Sequence, residues 1–272
     1  MTVLDTAAAP VGTLLRQWRQ RRRLSQLDLA VASEISARHL SFIETGRSRP
    51  TSAMILRLSE QLDVPLRERN ALLLAGGFAP AYAEHELDRP ELAAVLAAFR
   101  RVLAAHQPYP ALLVNRWWEL VEGNDAIEVF TEGAAPHLLE PPVNVLRLCL
   151  HPDGMAPHVV NLGECRGSIL GRLRRQADVT GDARLDELYR ELRAYPGDEA
   201  HGSAGVVMPL RYRYRSRELS FFSISSVVGS PMDVTVEELA VESFYPADEQ
   251  TAAVLRGQPR VSGAPHPVHR HG

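Results

Sequence analysis

The chain has no lysine; all 30 basic residues are arginine, a sign of GC-rich coding that says nothing of function. It has only two cysteines, Cys149 and Cys165. They lack Cys-x-x-Cys spacing and sit in apolar helical patterns, so they read as reduced core thiols of a cytoplasmic protein rather than a staple or redox pair. No apolar run reaches the roughly 18 residues of a membrane span, and Met1 to Pro10 lacks the basic start and apolar stretch of a signal peptide. There is no Gly-x-Ser-x-Gly elbow to make a nucleophile of Ser220. His151-Pro152-Asp153-Gly154 reads as a turn, with Asp and Gly supplying turn geometry. His266, His269 and His271 lie in a proline- and glycine-containing tail, where a built metal site is not expected. Neither an enzyme, a metal nor a resident cofactor is expected.

The length of 272 residues suggests about two domains, and charge is divided between them. Residues 1–80 hold 11 Arg against 7 Asp plus Glu, a net of +4, whereas the whole chain is −3. A positive small domain beside a negative large one is the asymmetry expected when one part meets phosphate.

From Val11 to Gly77 the pattern is five short helices. Val11, Leu14, Leu15 and Trp18 recur at helical spacing, and Arg21-Arg22-Arg23 suits that helix's C-terminus. Ser25 with Asp28 resembles a capping box, and Leu27, Ala30 and Val31 are expected to point inward. Ser36 caps a third helix with Leu40 and Ile43 inside and Ala37, Arg38, Ser41 and Phe42 outside; His39 lies between the faces. Thr51 or Ser52 caps a fourth helix, Pro65 opens a fifth, and Gly76-Gly77 ends it. Two short helices joined by a tight turn, followed by an arginine-bearing loop, place one helix in the major groove of DNA.

This segment resembles the lambda-repressor-like, or XRE-type, helix-turn-helix family across all five helices. The resemblance implies that Gln26 contacts a phosphate. It implies that Ser36, Ala37, Arg38, Ser41 and Phe42 face the groove, and that Thr45, Arg47 and Arg49 meet the backbone. Arg38 is the best direct reader, because a guanidinium bonds a guanine edge bidentately, while Ala37 and Phe42 offer apolar contact. The competing reading is a helix-bundle protein-interaction module with a C-terminal dimerisation scaffold.

Residues 79–106 form a junction and an amphipathic connecting helix with Leu92, Val95, Leu96, Phe99, Val102 and Leu103 on one face. That face packs on the second domain by default, or forms a dimer seam. Residues 107–257 read as two strands (109–114, 116–121), helices (125–130, 144–150, 160–177, 184–194), and three strands (206–215, 219–228, 239–245). The expected class is thus an all-α helix-turn-helix domain (9–78), then an α+β PAS-like domain, an antiparallel five-stranded sheet with flanking helices. A mobile tail (258–272) follows.

The segments Pro110-Ala111-Leu112 through Asn124, Pro142 to Arg147 leading to Leu150-His151-Pro152-Asp153-Gly154, Glu218 to Phe222, and Glu242-Ser243-Phe244-Tyr245-Pro246-Ala247-Asp248 resemble the MmyB-type ligand-binding domain. The resemblance implies a bacterial regulator with a small apolar, acyl or fatty-acid-like effector in a C-terminal cavity. Candidate ligand residues are Trp117, Trp118, Tyr212, Phe221 and Phe222, because neighbouring rings in a strand face opposite ways. Arg147 and Arg166 join them, with Arg172 on the same helices, as possible receivers of an effector carboxylate. The expected partners are double-stranded operator DNA, the effector and a second copy of the chain.

Overall fold

The structure, a computed structural model, describes residues 9–198 and 208–257. The expected tail and the start of the 206–215 strand lie outside the described residues. The chain divides into two units: residues 1–85 with 230–237, and residues 86–229 with 238–272.

The first unit carries α1 (Val11–Arg21), α2 (Gln26–Ala32), α3 (Ala37–Glu44), α4 (Ser52–Gln61) and α5 (Leu66–Ala75). Leu15, Leu29, Leu40, Ile55, Leu58 and Leu62 are wholly buried and, with Trp18, Ala30 and Ile43, make its core. Gly12 lets α1 lie against the end of α3: a Cβ there would stand 2.1 Å from the Ile43 carbonyl oxygen. Three hydroxyls cap three helices. Ser25 Oγ accepts from the Asp28 amide while Asp28 Oδ2 accepts from the Ser25 amide, a complete capping box; Ser36 and Thr51 each accept from the amide three residues on. Such caps contribute about 1 kcal/mol each.

Two expectations fail in α2. Leu27 and Val31 are 62% and 69% exposed; Ala30 is buried as expected, and Leu29 is buried beside it. The cap at Ser25 sets the phase of the helix, and four-residue spacing then puts Leu27 and Val31 together on the outer stripe. Pro65 precedes α5 rather than opening it, and supplies no cap.

The second unit contains α6 (Ala93–Ala105), β1 (Ala111–Val114), β2 (Leu120–Gly123), α7 (Glu128–Thr131), α8 (Val145–Leu150), α9 (Leu162–Thr180), α10 (Ala183–Ala194), β3 (Leu210–Tyr214) and β4 (Arg217–Val227). The one-turn helix α11 (Val234–Glu237) belongs to the first unit, and β5 (Ala240–Pro246) and α12 (Glu249–Arg256) complete the second. The sheet is antiparallel throughout, in the order β2-β1-β5-β4-β3. Tyr212 and Tyr214 are buried while Arg211 and Arg213 are exposed, as the alternation requires. In α6, Leu92 just before it and Leu96, Phe99 and Leu103 within it are buried, whereas Val95 is half-buried and Val102 is 52% exposed, so packing within the chain covers four of the six residues expected on that face and leaves Val102 outside.

The expected second strand at 116–121 is displaced. Arg116, Trp117 and Trp118 form a turn, with Trp118 at φ 65°. Asn115 Oδ1 accepts the amides of Trp117 and Glu119, and β2 begins only at Leu120. The two indoles therefore do not alternate across a strand.

The β4–β5 connection carries residues 230–237 into the first unit. Val234 and Val236 are buried there. The Val234 amide donates to the Ala83 carbonyl (2.9 Å), the Thr235 hydroxyl to the His85 carbonyl (2.6 Å), and His85 Nδ1 lies 2.7 Å from Asp233 Oδ2. Glu237 Oε2 accepts from the Leu66 amide at 2.7 Å. A carboxylate from far along the chain thus takes the place of the missing cap on α5.

Candidate DNA-reading face and ligand cavity

At the first unit's candidate interface, Arg38, Arg47 and Arg49 are exposed. The α3 helix ends in a tight turn: Gly46 has φ 75°, and the amides of Arg47 and Ser48 both donate to the Phe42 carbonyl. This turn brings Arg47 back over α3. The guanidinium carbons of Arg38 and Arg47 stand 5.4 and 6.0 Å from the Phe42 ring centre, within cation–π range. Phe42 thereby holds two cations besides offering apolar surface. Among the described residues, Arg38, Arg47 and Arg49 make no ion pair with a carboxylate. Ser36 is spent as a helix cap, and Ala37 leans on the core. Ser41 is half-buried, and its carbonyl accepts the Thr45 hydroxyl at 2.7 Å.

Gln26 belongs to a buried network. Arg19 Nε and Nη2 donate to the two oxygens of Glu44 at 2.7 and 2.9 Å, Arg19 Nη1 donates to the Leu24 carbonyl, and Gln26 Nε2 donates to Glu44 Oε2 at 2.8 Å. The last residue of α3 thus fixes the first residue of α2. Burial pushes the Glu44 carboxyl up, but hydrogen bonds from Arg19 and Gln26 and the charges of Arg19 and Arg16 outweigh it and hold it below its usual range.

The second unit encloses a cavity of about 820 Å³, within the span of about 300–1,000 Å³ typical of small-molecule sites. Sheet register explains one wall. Leu112 pairs with Glu242 and Ser223 with Phe244, so residues of β1, β5 and β4 share one face. Helices α8 and α9 supply the opposite wall through Leu146, Cys149, Cys165, Ile169 and Arg172. Burial raises the thiol pKa of Cys149 to about 12 and that of Cys165 to about 11, each also opposed by a neighbouring group that disfavours the thiolate, Cys165 and Glu164 respectively. Iodoacetamide at neutral pH is therefore expected to alkylate both at least about a hundredfold more slowly in the folded protein than after denaturation, as read by intact mass.

Of the sequence-derived ligand candidates, Trp118 and Phe221 line the cavity; Trp117, Arg147, Arg166, Tyr212 and Phe222 do not. Trp117 stacks beside Arg184 (4.4 Å) and donates to Asp182. Arg147 is held bidentately by Glu191 at 2.6 and 2.8 Å. Arg166 is buried and donates to the Arg193 carbonyl. Tyr212 lies in the core edge-on to Phe130, and Phe222 stacks on Tyr245 at 5.2 Å. The arginine on the wall is Arg172. It donates to Glu242 Oε1 at 3.0 Å and stacks on Trp118 at 4.1 Å. Arg172 is among the carboxylate receivers that the sequence suggests; Glu242, Cys165 and Ile169 are not, and the helical spacing of Cys165, Ile169 and Arg172 is the available signal for that wall.

Elsewhere, the possible ligand atoms of His137, His151 and Asp153 lie within 4.8 Å of one another. His151 Nδ1 already accepts the Asp153 amide at 3.0 Å, which closes the expected turn. No helix among the described residues is long and apolar enough to cross a membrane.

A five-helix unit with an arginine-bearing recognition face, joined to a sheet domain built around an apolar cavity, defines a helix-turn-helix regulator with a sensor domain. Residues 15–69 match the helix-turn-helix family, and residues 95–257 match the MmyB-like transcription regulator ligand binding domain. The chain belongs to the MmyB-like family of transcription regulators, with an XRE-type helix-turn-helix at its N-terminus. No curated protein matches it. This pair of domains supports a ligand-responsive transcription regulator.

Proposed function

We propose that the chain is a cytoplasmic, homodimeric regulator that reads double-stranded operator DNA through α3 and the loop after it, and answers to a small, largely apolar, acyl-like effector in the cavity. One convergence carries the DNA reading. Within the segment that matches the helix-turn-helix family, Arg38 of α3 and Arg47 of the turn after it stand against the same Phe42 ring. With Arg49 they are exposed and make no ion pair with a carboxylate among the described residues, so their charge is available to phosphate and base edges.

The test uses a duplex of the region upstream of the chain's own gene. Arg38→Ala is expected to cost about 1–3 kcal/mol and to relax base choice at one position. Arg47→Ala and Arg49→Ala are expected to weaken all duplexes alike, each flattening the salt slope by about one. Binding unchanged across salt and sequence in all three variants overturns the reading in favour of a protein-interaction bundle.

Connectivity supports the response to an effector. The cavity strands β4 and β5 are joined by the segment that caps α5 in the first unit. An occupant that favours one placement of those strands then has a covalent route to the DNA-reading helices, provided its affinity differs between the two states. Native mass of the purified chain checks the effector directly, since a bound lipid adds its own mass.

A further inference from the structure

We infer that the cavity takes an amphiphile with a neutral hydrogen-bonding head, such as a primary amide or alcohol, in preference to a free carboxylic acid. This rests on the reading that the cavity binds the effector. None of the arginines from which a carboxylate clamp was expected is a free cation on the wall. Arg147 is held by Glu191, and Arg166 lies off the wall, its Nη2 on the Arg193 carbonyl and its Nε buried without a partner among the described residues. Arg172, the cation on the wall, is neutralised by Glu242, whose side chain is only 5% exposed. The remaining lining charges are Asp125 and Glu128, both acidic and both exposed to solvent. The wall thus carries three carboxylates against one guanidinium.

A ligand carboxylate on a further N–H of Arg172 would share that one guanidinium with Glu242 and stand beside a buried carboxylate, leaving one of the two negative charges without a counter-charge. A head with both an acceptor and a donor spans the existing pair without breaking it. Its oxygen takes a further N–H of Arg172, and its O–H or N–H donates to Glu242. Trp118, stacked on Arg172 at 4.1 Å, holds the guanidinium flat at that point. Ser168 and Ser223 on the same wall add neutral partners, and the apolar remainder receives the chain.

The test is calorimetric titration of the full chain with dodecanamide, dodecanoate and dodecyltrimethylammonium, each below its micelle concentration, at about pH 8, where dodecanoate is ionised. Dodecanamide is expected to bind at least about tenfold tighter than dodecanoate. In Glu242→Gln, an isosteric change that frees Arg172, dodecanoate gains and the gap closes. In Arg172→Leu, which leaves Glu242 without its counter-charge, dodecyltrimethylammonium gains over dodecanoate. Dodecanoate binding as tightly as the amide in the unaltered chain, or a ranking untouched by both variants, overturns the inference. Failure of all three to bind overturns the effector reading itself, and the inference with it.

Discussion

Glu44→Ala is expected to destabilise the helix-turn-helix unit by about 3–5 kcal/mol, because removing one partner of a buried pair strands the other charge. The Glu44 side chain is 1% exposed and that of Arg19 11%, so water does not replace the lost carboxylate. Arg19 keeps one bond, to the Leu24 carbonyl, and Gln26 loses its acceptor. Domain stabilities run from about 5 to 15 kcal/mol, so this single change consumes much of what holds the unit folded. Thermal unfolding followed by circular dichroism should show a drop of roughly 12 °C or more, at about 4–8 °C per kcal/mol for a unit of this size. Replacing both partners, as Arg19→Met with Glu44→Leu, should recover most of the loss, since apolar side chains of similar volume carry no desolvation cost. An equal loss in the double variant would assign the effect to packing instead.

The same pair sets an acid limit. The Glu44 carboxyl is held below its ordinary value of 4.5 in the folded chain, so the folded state binds its proton less readily than the unfolded state does. The stabilisation is fully present above the unfolded value and is lost as pH falls through the lower folded one. Melting of this unit should therefore be insensitive to pH near neutrality, where the pair contributes in full, and fall on acidification below about 4.5, a fall absent from the double variant.

Local signals carried most of the fold. Caps at Ser25, Ser36 and Thr51 and the apolar spacing of Leu15, Leu40, Ile55 and Leu58 gave five helices, because each depends on residues within a few positions of one another. Alternation in Leu210–Tyr214 gave a strand and its buried face for the same reason. The errors have local causes too. Trp117-Trp118 reads as strand by aromatic content, but Asn115 bends the chain there through its own side chain. Helix α12 lies beyond the last expected strand and has the same kind of local support: Asp248 caps it, and Thr251, Ala252 and Leu255 are buried along it. What no local pattern shows is pairing across the chain. Arg172 meets Glu242 seventy residues on, and that contact decides the polarity of the cavity. Nothing near Pro65 announces that Glu237 caps α5.

That long-range cap leads to the second large effect, at Val234, which has no exposed surface. Val234→Asp puts a carboxylate into an apolar site, a penalty of several kcal/mol when unpaired. Against it stand the burial of Val234 and Val236, about 1.5–3 kcal/mol each before substitution, and the bonds through Ala83, His85 and Leu66, about 0.5–1.5 kcal/mol each. The substitution removes the first of these contributions and adds the charge, so the segment 230–237 is expected to leave its site. The bundle should survive, because its core of Leu15, Leu29, Leu40, Ile55 and Leu58 includes no residue of the segment. Hydrogen exchange should then show 230–237 and the Leu66 amide losing protection together while the rest of α1 to α5 still unfolds as one. Dodecanamide should still enter the cavity, whose walls the substitution does not touch, but operator affinity should stop responding to it. Collapse of the whole bundle would make the segment part of the folding core, and a response that persists would place the route between cavity and DNA elsewhere in the chain.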